Sequence, residues 1–144
     1  MQKDSFNTYS QLLDRTARRV KQYAQGQFKL GDYGITVDQW MVIKNLRNNP
    51  GLSQKALAEL CNKDQPTLTR IVDLLVKKGY VERKIHHNDR RSFIVVLSEE
   101  GRLKVNELEP KVRSIRMKAW EKLDEADFED LKRILNTIYN NLEI

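Results

Sequence analysis

The chain has few of the features on which secreted and membrane proteins depend. It has one cysteine, Cys61, among 144 residues, so an intramolecular disulfide cannot form. It has no N-terminal apolar run of the signal-peptide type, and no run of about 18 apolar residues, the length that a membrane-spanning helix needs. We therefore expect a cytoplasmic protein that does not associate with membranes.

Motifs typical of enzymes and metal sites are also missing. The sequence has no glycine-rich phosphate loop, no nucleophile elbow and no carboxylate pair at the spacing of a general acid and base. His86, His87 and Asp89 are close in sequence, but adjacent histidines on a short turn rarely converge on one ion. There is no further His, and the single cysteine lies far from them in the sequence, so a complete ligand set is not indicated. We expect no catalytic residue, no cofactor and no metal ion.

Positive charge is concentrated in one part of the chain. Lys and Arg number 26 against 20 Asp and Glu, a net charge of +6. Residues 62–92 carry eight basic and four acidic side chains, whereas residues 101–144 carry nine of each. The local excess suits a polyanionic partner such as nucleic acid.

Apolar residues at three- and four-residue steps predict an amphipathic first helix at about residues 5–25. We expect Gly26, Gly31 and Gly34 to break it. The apolar stripe consists of Phe6, Tyr9, Leu13, Ala17, Val20 and Ala24.

A second helix is predicted after Thr36, which forms a capping box with Gln39. The turn at residues 48–51 ends this helix. Its expected buried residues are Trp40, Ile43 and Leu46.

Two further helices follow in close succession. Ser53 is a suitable N-cap for a short third helix, Gln54–Leu60, and Asp64 for a fourth, with Pro66 in its first turn. Gly79 is expected to stop the fourth helix. The residues expected to face the core are Ala56, Leu57 and Leu60 in the third helix and Leu68, Ile71, Leu74 and Leu75 in the fourth.

A hairpin is predicted next, because residues 80–85 and 91–97 are rich in aromatic and β-branched side chains and a polar turn separates them. Helix, turn, helix and hairpin in this order predict a winged helix-turn-helix over residues 34–98. The helix-turn-helix occupies residues 53–78 and the wing residues 80–97.

The chain ends in two predicted amphipathic helices, which begin at Ser98 and Asp124, and Pro110 can kink the first. We expect residues 1–33 and 99–144 to cover each other across a two-fold axis, because the winged module is too small to cover them. A monomeric helical cap is the alternative. The apolar stripes are Leu103, Leu108, Val112, Ile115, Ala119 and Leu123 in one helix and Phe128, Leu131, Leu135, Ile138 and Leu142 in the other.

The candidate DNA-binding residues lie at the starts of the third and fourth helices and on the wing tip. Amides suit adenine edges, arginine suits guanine edges and threonine methyls suit thymine. On the wing, we expect Arg91 to enter a groove or contact the backbone, Arg90 to contact phosphate, and Asp89 to orient Arg91. A solvated helix face and a plain surface hairpin are the alternatives. The helix candidates are Ser53, Gln54, Gln65, Pro66, Thr67, Thr69 and Arg70.

Five segments resemble the MarR family of bacterial transcription regulators, and the resemblance runs nearly end to end. The matching segments are GITVDQW at 34–40, SQKALAELC at 53–61, TLTRIVDLLVKKGYVER at 67–83, DRRS at 89–92 and VVLSEEG at 95–101. The resemblance implies a single MarR-type domain over residues 1–144, mostly α, with a small β-hairpin wing and an α-helical dimerisation domain formed by both ends.

By function, the resemblance implies a homodimer that binds a pseudo-palindromic site in double-stranded DNA. Such proteins usually act as repressors and release DNA when a small ligand or an oxidant changes the spacing of the two recognition helices. A winged helix that docks onto proteins, with no role on DNA, is the rival interpretation.

The sequence says less about the signal to which the chain responds than about its fold. Cys61 follows apolar Leu57 and Leu60, and residues 1–60 contain no cysteine, so we expect a buried structural thiol rather than an oxidant sensor. The aromatic candidates for an effector pocket, each expected to pack in the core instead, are Tyr9, Tyr23, Phe28 and Trp40.

Overall fold

The computed structural model describes residues 3–85 and 93–144, which form six helices and one hairpin. In chain order the elements are α1 (Lys3–Leu30), α2 (Val37–Asn48), α3 (Gln54–Leu60), α4 (Gln65–Lys77), β1 (Val81–Ile85), β2 (Phe93–Leu97), α5 (Glu99–Lys118) and α6 (Glu125–Asn141). The strands are antiparallel, with Val81 opposite Leu97 and Ile85 opposite Phe93. This order confirms the mostly α winged helix-turn-helix.

One hydrophobic core joins α2, α3, α4, the hairpin and α5. Burying one such aliphatic side chain stabilises the fold by about 1.5–3 kcal/mol. The side chains at its centre, all fully buried, are Val42, Ile43, Leu57, Leu68, Val72, Leu75, Val81, Val95, Val105 and Leu108.

The helix starts follow local sequence signals. The capping box is confirmed: the Gln39 backbone N–H donates to Thr36 Oγ1 at 3.1 Å, and the Thr36 N–H donates to Gln39 Oε1 at 3.1 Å. Ser98 Oγ accepts from the Gly101 N–H at 3.0 Å and donates to the Gly79 carbonyl. Gly79 itself has φ +83°, as expected of a glycine that ends a helix.

The expected break of the first helix at Gly26 is wrong. α1 continues to Leu30 because Phe28 packs into the core, where it is only 3% exposed and its ring lies 5.0 Å from that of Tyr33. A glycine inside a helix costs about 1 kcal/mol, which the burial of a phenylalanine outweighs.

Two leucines expected to face the core are exposed, as is one leucine of the predicted apolar stripe of α5, and the residue two positions away on each helix is buried instead. The apolar residues of such a helix allow two overlapping faces to be buried, and packing against elements distant in sequence decides which face is covered. The exposed residues are Leu60 at 45%, Leu74 at 47% and Leu103 at 58%; those buried in their place are Ala58, Val72 and Val105.

The predicted long C-terminal helix ends earlier than expected. α5 runs through Pro110 without interruption but stops at Lys118, so Ala119 and Leu123 lie in the turn before α6. Asp124 caps α6 as predicted. None of the described helices combines the length and apolarity that crossing a bilayer requires.

No residue of α6 is buried in the single chain, although the helix is amphipathic. Its apolar side chains and those of the preceding turn form an open groove of about 720 Å³. At its base the rings of Trp120 and Phe128 meet edge to face, with centroids 6.0 Å apart. We call this surface the C-terminal apolar face; its residues are Met117, Trp120, Leu123, Phe128, Leu131, Leu135, Ile138 and Leu142.

The first turn of α2 connects α1 to both ends of α4. Asp38 Oδ1 lies 3.4 Å from Lys21 Nζ on α1 and 3.1 Å from Lys63 Nζ in the turn before α4. Beside it, Lys78 Nζ, at the end of α4, donates to Gln39 Oε1 at 2.9 Å. Burial alone would raise the pKa of Asp38, but the two ammonium groups outweigh it and hold the pKa below its ordinary value.

We expect Gly101→Ala to lower the free energy of unfolding by about 1–3 kcal/mol, because the new Cβ would overlap the Tyr80 backbone oxygen, which cannot move freely. Urea denaturation measures the loss. The control is Gly26→Ala within α1, where, apart from the adjacent residues and the backbone of the helix itself, no atom of the described residues lies within 4 Å of the added Cβ. It should raise stability by up to about 1 kcal/mol. Equal stability of Gly101→Ala and wild type would contradict the close packing.

We expect Asp38→Asn to destabilise the fold at neutral pH by an amount that shrinks as the pH falls. A carboxyl whose pKa is lowered on folding contributes stability above its unfolded pKa, about 3.9, and loses it as the pH falls through the folded value. Urea denaturation from about pH 7 to about pH 3 tests this. Asp14→Asn on the exposed side of α1 controls for the loss of one surface charge. A difference that stays constant over this range would count against the ion pairs.

Candidate nucleic-acid interface

α4 presents a polar face at its N-terminal half. Its inner face packs on α2, α3 and β1 through Leu68, Ile71, Val72 and Leu75. Gln65, Pro66 and Arg70 are exposed, while Thr67 and Thr69 are half-buried at the edge. The predicted DNA-binding residues of this helix therefore all lie outside its buried face.

Asp64 fixes where this helix begins. Its Oδ1 accepts from the Thr67 backbone N–H at 2.7 Å. Hydrogen bonds from Thr67 hold the pKa of Asp64 below its ordinary value, so the cap is ionised at neutral pH. Pro66 lies in the first turn, where its missing N–H leaves no hydrogen bond unmade. The start of α4 is thus well ordered before any ligand binds.

Gln65, Thr67 and Arg70 have the chemistry of base and phosphate contacts. Among the ion pairs of residues 3–85 and 93–144, none involves Arg70. Its guanidinium can therefore form a bidentate contact with a guanine edge or with phosphate.

The candidates on α3 already have structural partners. Ser53 Oγ caps α3 by accepting from the Ala56 N–H at 3.1 Å, and Ser53 pairs with Ile94 of β2. Gln54 Nε2 donates to Thr69 Oγ1 at 2.7 Å. Both side chains therefore have a structural role in the protein, as the cap of α3 and as a link between α3 and α4.

Two residues of this region were not predicted as site residues, Asp73 and Arg83. Arg83 on β1 donates from Nη2 to Asp73 Oδ1 on α4 at 2.6 Å, and its Nε lies 3.4 Å from Gln54 Oε1. Asp73 is exposed on α4. Nothing in the local sequence pairs it with an arginine ten residues later, because that contact depends on how β1 packs beside α4.

The hairpin is anchored to the helix-turn-helix at its base. The Val95 backbone N–H donates to the Leu52 carbonyl at 3.1 Å, just before α3. The predicted wing-tip residues Asp89, Arg90 and Arg91 lie outside the described residues, as do His86 and His87. Their roles remain predictions. Within the described ranges, no three His, Cys, Asp or Glu side chains converge as a metal site would require.

Cys61 is buried, as predicted, and only 2% exposed. Burial raises the pKa of its thiol, more than the nearby Asn45 amide and Lys63 ammonium lower it. The group is therefore a protonated thiol at neutral pH, and a protonated thiol is a poor nucleophile.

The four aromatic candidates for an effector pocket divide into two pairs. Phe28 and Trp40 pack in the core, as expected, whereas Tyr9 and Tyr23 on α1 are exposed in the single chain, so core packing is wrong for them. Tyr23 lines a cavity of about 330 Å³ between α1 and α5. Its other lining residues include Arg19, Val20, Ile115, Arg116 and Trp120.

Known proteins share both the sequence pattern and the architecture. Residues 35–93 match the sequence model of the MarR family. The chain is 30% identical over 118 residues to YwoH, an uncharacterised HTH-type transcriptional regulator of Bacillus subtilis (strain 168), and the alignment covers 82% of this chain and 80% of that protein.

Two solved structures superpose closely. One is BpsR of Bordetella bronchiseptica, whose DNA binding is regulated by 6-hydroxynicotinic acid. The superposition has a TM-score of 0.82 at 23% identity and covers 92% of this chain and 98% of that one. The other is a mutant of MarR from E. coli complexed with operator DNA, with a TM-score of 0.83, 22% identity and coverage of 94% and 96%. At these identities the likeness concerns the fold. With the family match and the relative in B. subtilis, it leads to one assignment: the chain belongs to the MarR family of winged helix-turn-helix transcription regulators.

Proposed function

We propose that this regulator is a ligand-responsive repressor that binds a pseudo-palindromic site in double-stranded DNA as a homodimer. The observation that carries the proposal is the N-terminal half of α4, where Gln65 and Arg70 are exposed and Thr67 is half-buried, on a helix that packs against β1 of the hairpin. A helix of this kind fits the major groove, which is about 12 Å wide, with its first turns toward the bases. MarR of E. coli, of the same fold, has been solved with operator DNA.

The residue roles follow from what each side chain has available. Arg70 reads a guanine edge or grips phosphate, Gln65 suits an adenine edge, and the methyl of Thr67 suits thymine. Pro66 shapes the first turn of the reading helix. On the wing, Arg91 enters the minor groove or contacts the backbone, with Asp89 orienting it, and Arg90 contacts phosphate.

The homodimer accounts for the C-terminal apolar face. In the single chain no residue of α6 is buried, although the helix is amphipathic, and a contiguous exposed apolar face of this kind commonly marks an interaction site. A second copy would cover the face across a two-fold axis, with residues 1–33 and 99–144 as the dimerisation region and 34–98 as the DNA-binding region. The two α4 helices would then reach successive major grooves, about 34–36 Å apart.

Two observations support the proposed response to a ligand. BpsR, whose DNA binding is regulated by 6-hydroxynicotinic acid, shares this fold. Here the cavity beside Tyr23 lies between α1 of the dimerisation region and α5, so an occupant would change how these helices pack. A ligand that prefers the arrangement unable to bind DNA lowers DNA affinity by the ratio of its affinities for the two states.

Selection of bound duplexes from a randomised pool tests the DNA-binding function. We expect a two-fold symmetric site, with affinity that falls steeply between about 50 and about 200 mM salt because several phosphates are neutralised. Enrichment of no sequence, with weak binding lost at the higher salt, would favour a protein-docking module instead.

On the selected site, Arg70→Ala should weaken binding by about 1–3 kcal/mol and relax the preference at one or two base positions. Arg91→Ala should weaken binding to most sequences and reduce the salt slope by about one. Arg133→Ala on α6, outside the winged module, is the control and should change neither. Titrations against the selected site and single-base variants measure these effects. Unchanged affinity and preference in Arg70→Ala would show that α4 does not read DNA.

We expect Leu135→Asp to convert the dimer into monomers, because a carboxylate in the centre of the C-terminal apolar face would be buried without a partner. Sedimentation equilibrium should give twice the chain mass for wild type and the chain mass for the variant. Leu60→Asp is the matched control, since Leu60 is similarly exposed but lies on α3. A dimeric Leu135→Asp would place the interface elsewhere.

A further inference from the structure

A continuous polar network joins the hairpin to both helices of the helix-turn-helix. From β1, Arg83 reaches Asp73 on α4 at 2.6 Å and Gln54 on α3 at 3.4 Å. Gln54 Nε2 donates to Thr69 Oγ1 at 2.7 Å, and that hydroxyl donates to the Gln65 carbonyl at 2.8 Å. A single arginine thus holds three elements in one arrangement.

The network uses the groups that Gln54 and Thr69 would need to read bases. Gln54 has both ends of its amide engaged, the oxygen with Arg83 and the nitrogen with Thr69. The one hydroxyl proton of Thr69 is given to its own helix. Gln54 keeps its second N–H and each oxygen keeps a lone pair, but these contacts hold both side chains in orientations set by the protein. Both residues are therefore better suited to support α4 than to read sequence.

The position of Arg83 matters because the fold engages DNA at two places. A winged module binds well only when the reading helix and the wing fit adjacent grooves together, so an error in the angle between them weakens both contacts. The angle is set by β1 against α4, and Arg83 and Asp73 are the charged pair that crosses this junction.

We propose that Arg83 is a positioning residue that sets the angle between the wing and α4 through Asp73 and Gln54, and that Gln54 and Thr69 transmit this constraint rather than contact bases. The inference rests on the proposed DNA-binding function. It assigns to Asp73, an acidic residue on the DNA-facing helix, a favourable role in binding a polyanion.

Asp73→Asn separates this role from simple electrostatics. Removing a negative charge from the reading face should tighten DNA binding if Asp73 acts only through its charge. If Asp73 holds Arg83, the variant should instead bind the selected site about three- to tenfold more weakly, with non-specific affinity little changed. Titrations against the selected site and a scrambled duplex measure both.

Arg83→Gln and the double variant complete a cycle. We expect Arg83→Gln to weaken binding to the selected site about as much as Asp73→Asn does. The double variant should lose no more affinity than the more affected of the two single variants, because both changes break the same network. Arg83→Lys, which keeps the charge but lacks the planar fork, should recover only part of the affinity. Lys84→Gln, the exposed neighbour on β1, controls for the loss of one positive charge on this strand. Thermal unfolding identifies any variant that fails to fold.

Each other outcome has a definite meaning. If Asp73→Asn binds as tightly as wild type or more tightly, while Arg83→Gln lowers the salt slope, Arg83 contacts DNA directly and the positioning role is wrong. If neither variant changes specific binding, the network has no part in recognition. If wild type itself selects no site, the proposed function fails, and the wild-type titration alone distinguishes that result from failure of the network.

Discussion

The burial of one side of α4 is the constraint on which the rest of the structure depends. Leu68, Val72 and Leu75 are fully buried against α2, α3 and β1, and this packing sets the rotation of the helix about its own axis. Because successive residues are about 100° apart around a helix, fixing the buried side also fixes which residues face solvent. The exposure of Gln65 and Arg70 is therefore a consequence of the core. A change in core packing would therefore change which residues of α4 are exposed.

Polar contacts connect this packed module to its neighbours at two junctions. In the first turn of α2, Asp38 pairs with Lys63 in the turn before α4 and with Lys21 on α1. The neighbouring Gln39 accepts a hydrogen bond from Lys78 at the end of α4. On the opposite side, Arg83 joins β1 to α4 and α3. Charged contacts of this kind are directional, so they hold an angle as well as a distance. In a dimer formed through α1 and α6, a movement of α1 would be transmitted to α4 through the ion pairs of Asp38. Control by a ligand bound near α1 requires a connection of this kind.

The distribution of apolar surface separates the two ends of the chain from its centre. The winged module contains most of the buried core of the chain, whereas no residue of α6 is buried and its Leu135, Ile138 and Leu142 are exposed. Exposed apolar area of this size is unfavourable in water, and a symmetric partner offers an identical surface to cover it. The fold of one chain is therefore complete around α4 and incomplete at the C-terminal apolar face, which is consistent with the proposed homodimer.

The sequence by itself determined the elements and their starts, because a cap such as Thr36 with Gln39, or Asp64 with Thr67, joins residues three positions apart and needs no distant partner. It also placed Arg70 on the outer side of α4. Only the tertiary structure decided that α1 passes through Gly26, that Leu60, Leu74 and Leu103 are exposed, and that Arg83 joins Asp73 and Gln54. These features depend on contacts between elements distant in sequence, and a local pattern contains no information about which of two adjacent helix faces those contacts will cover.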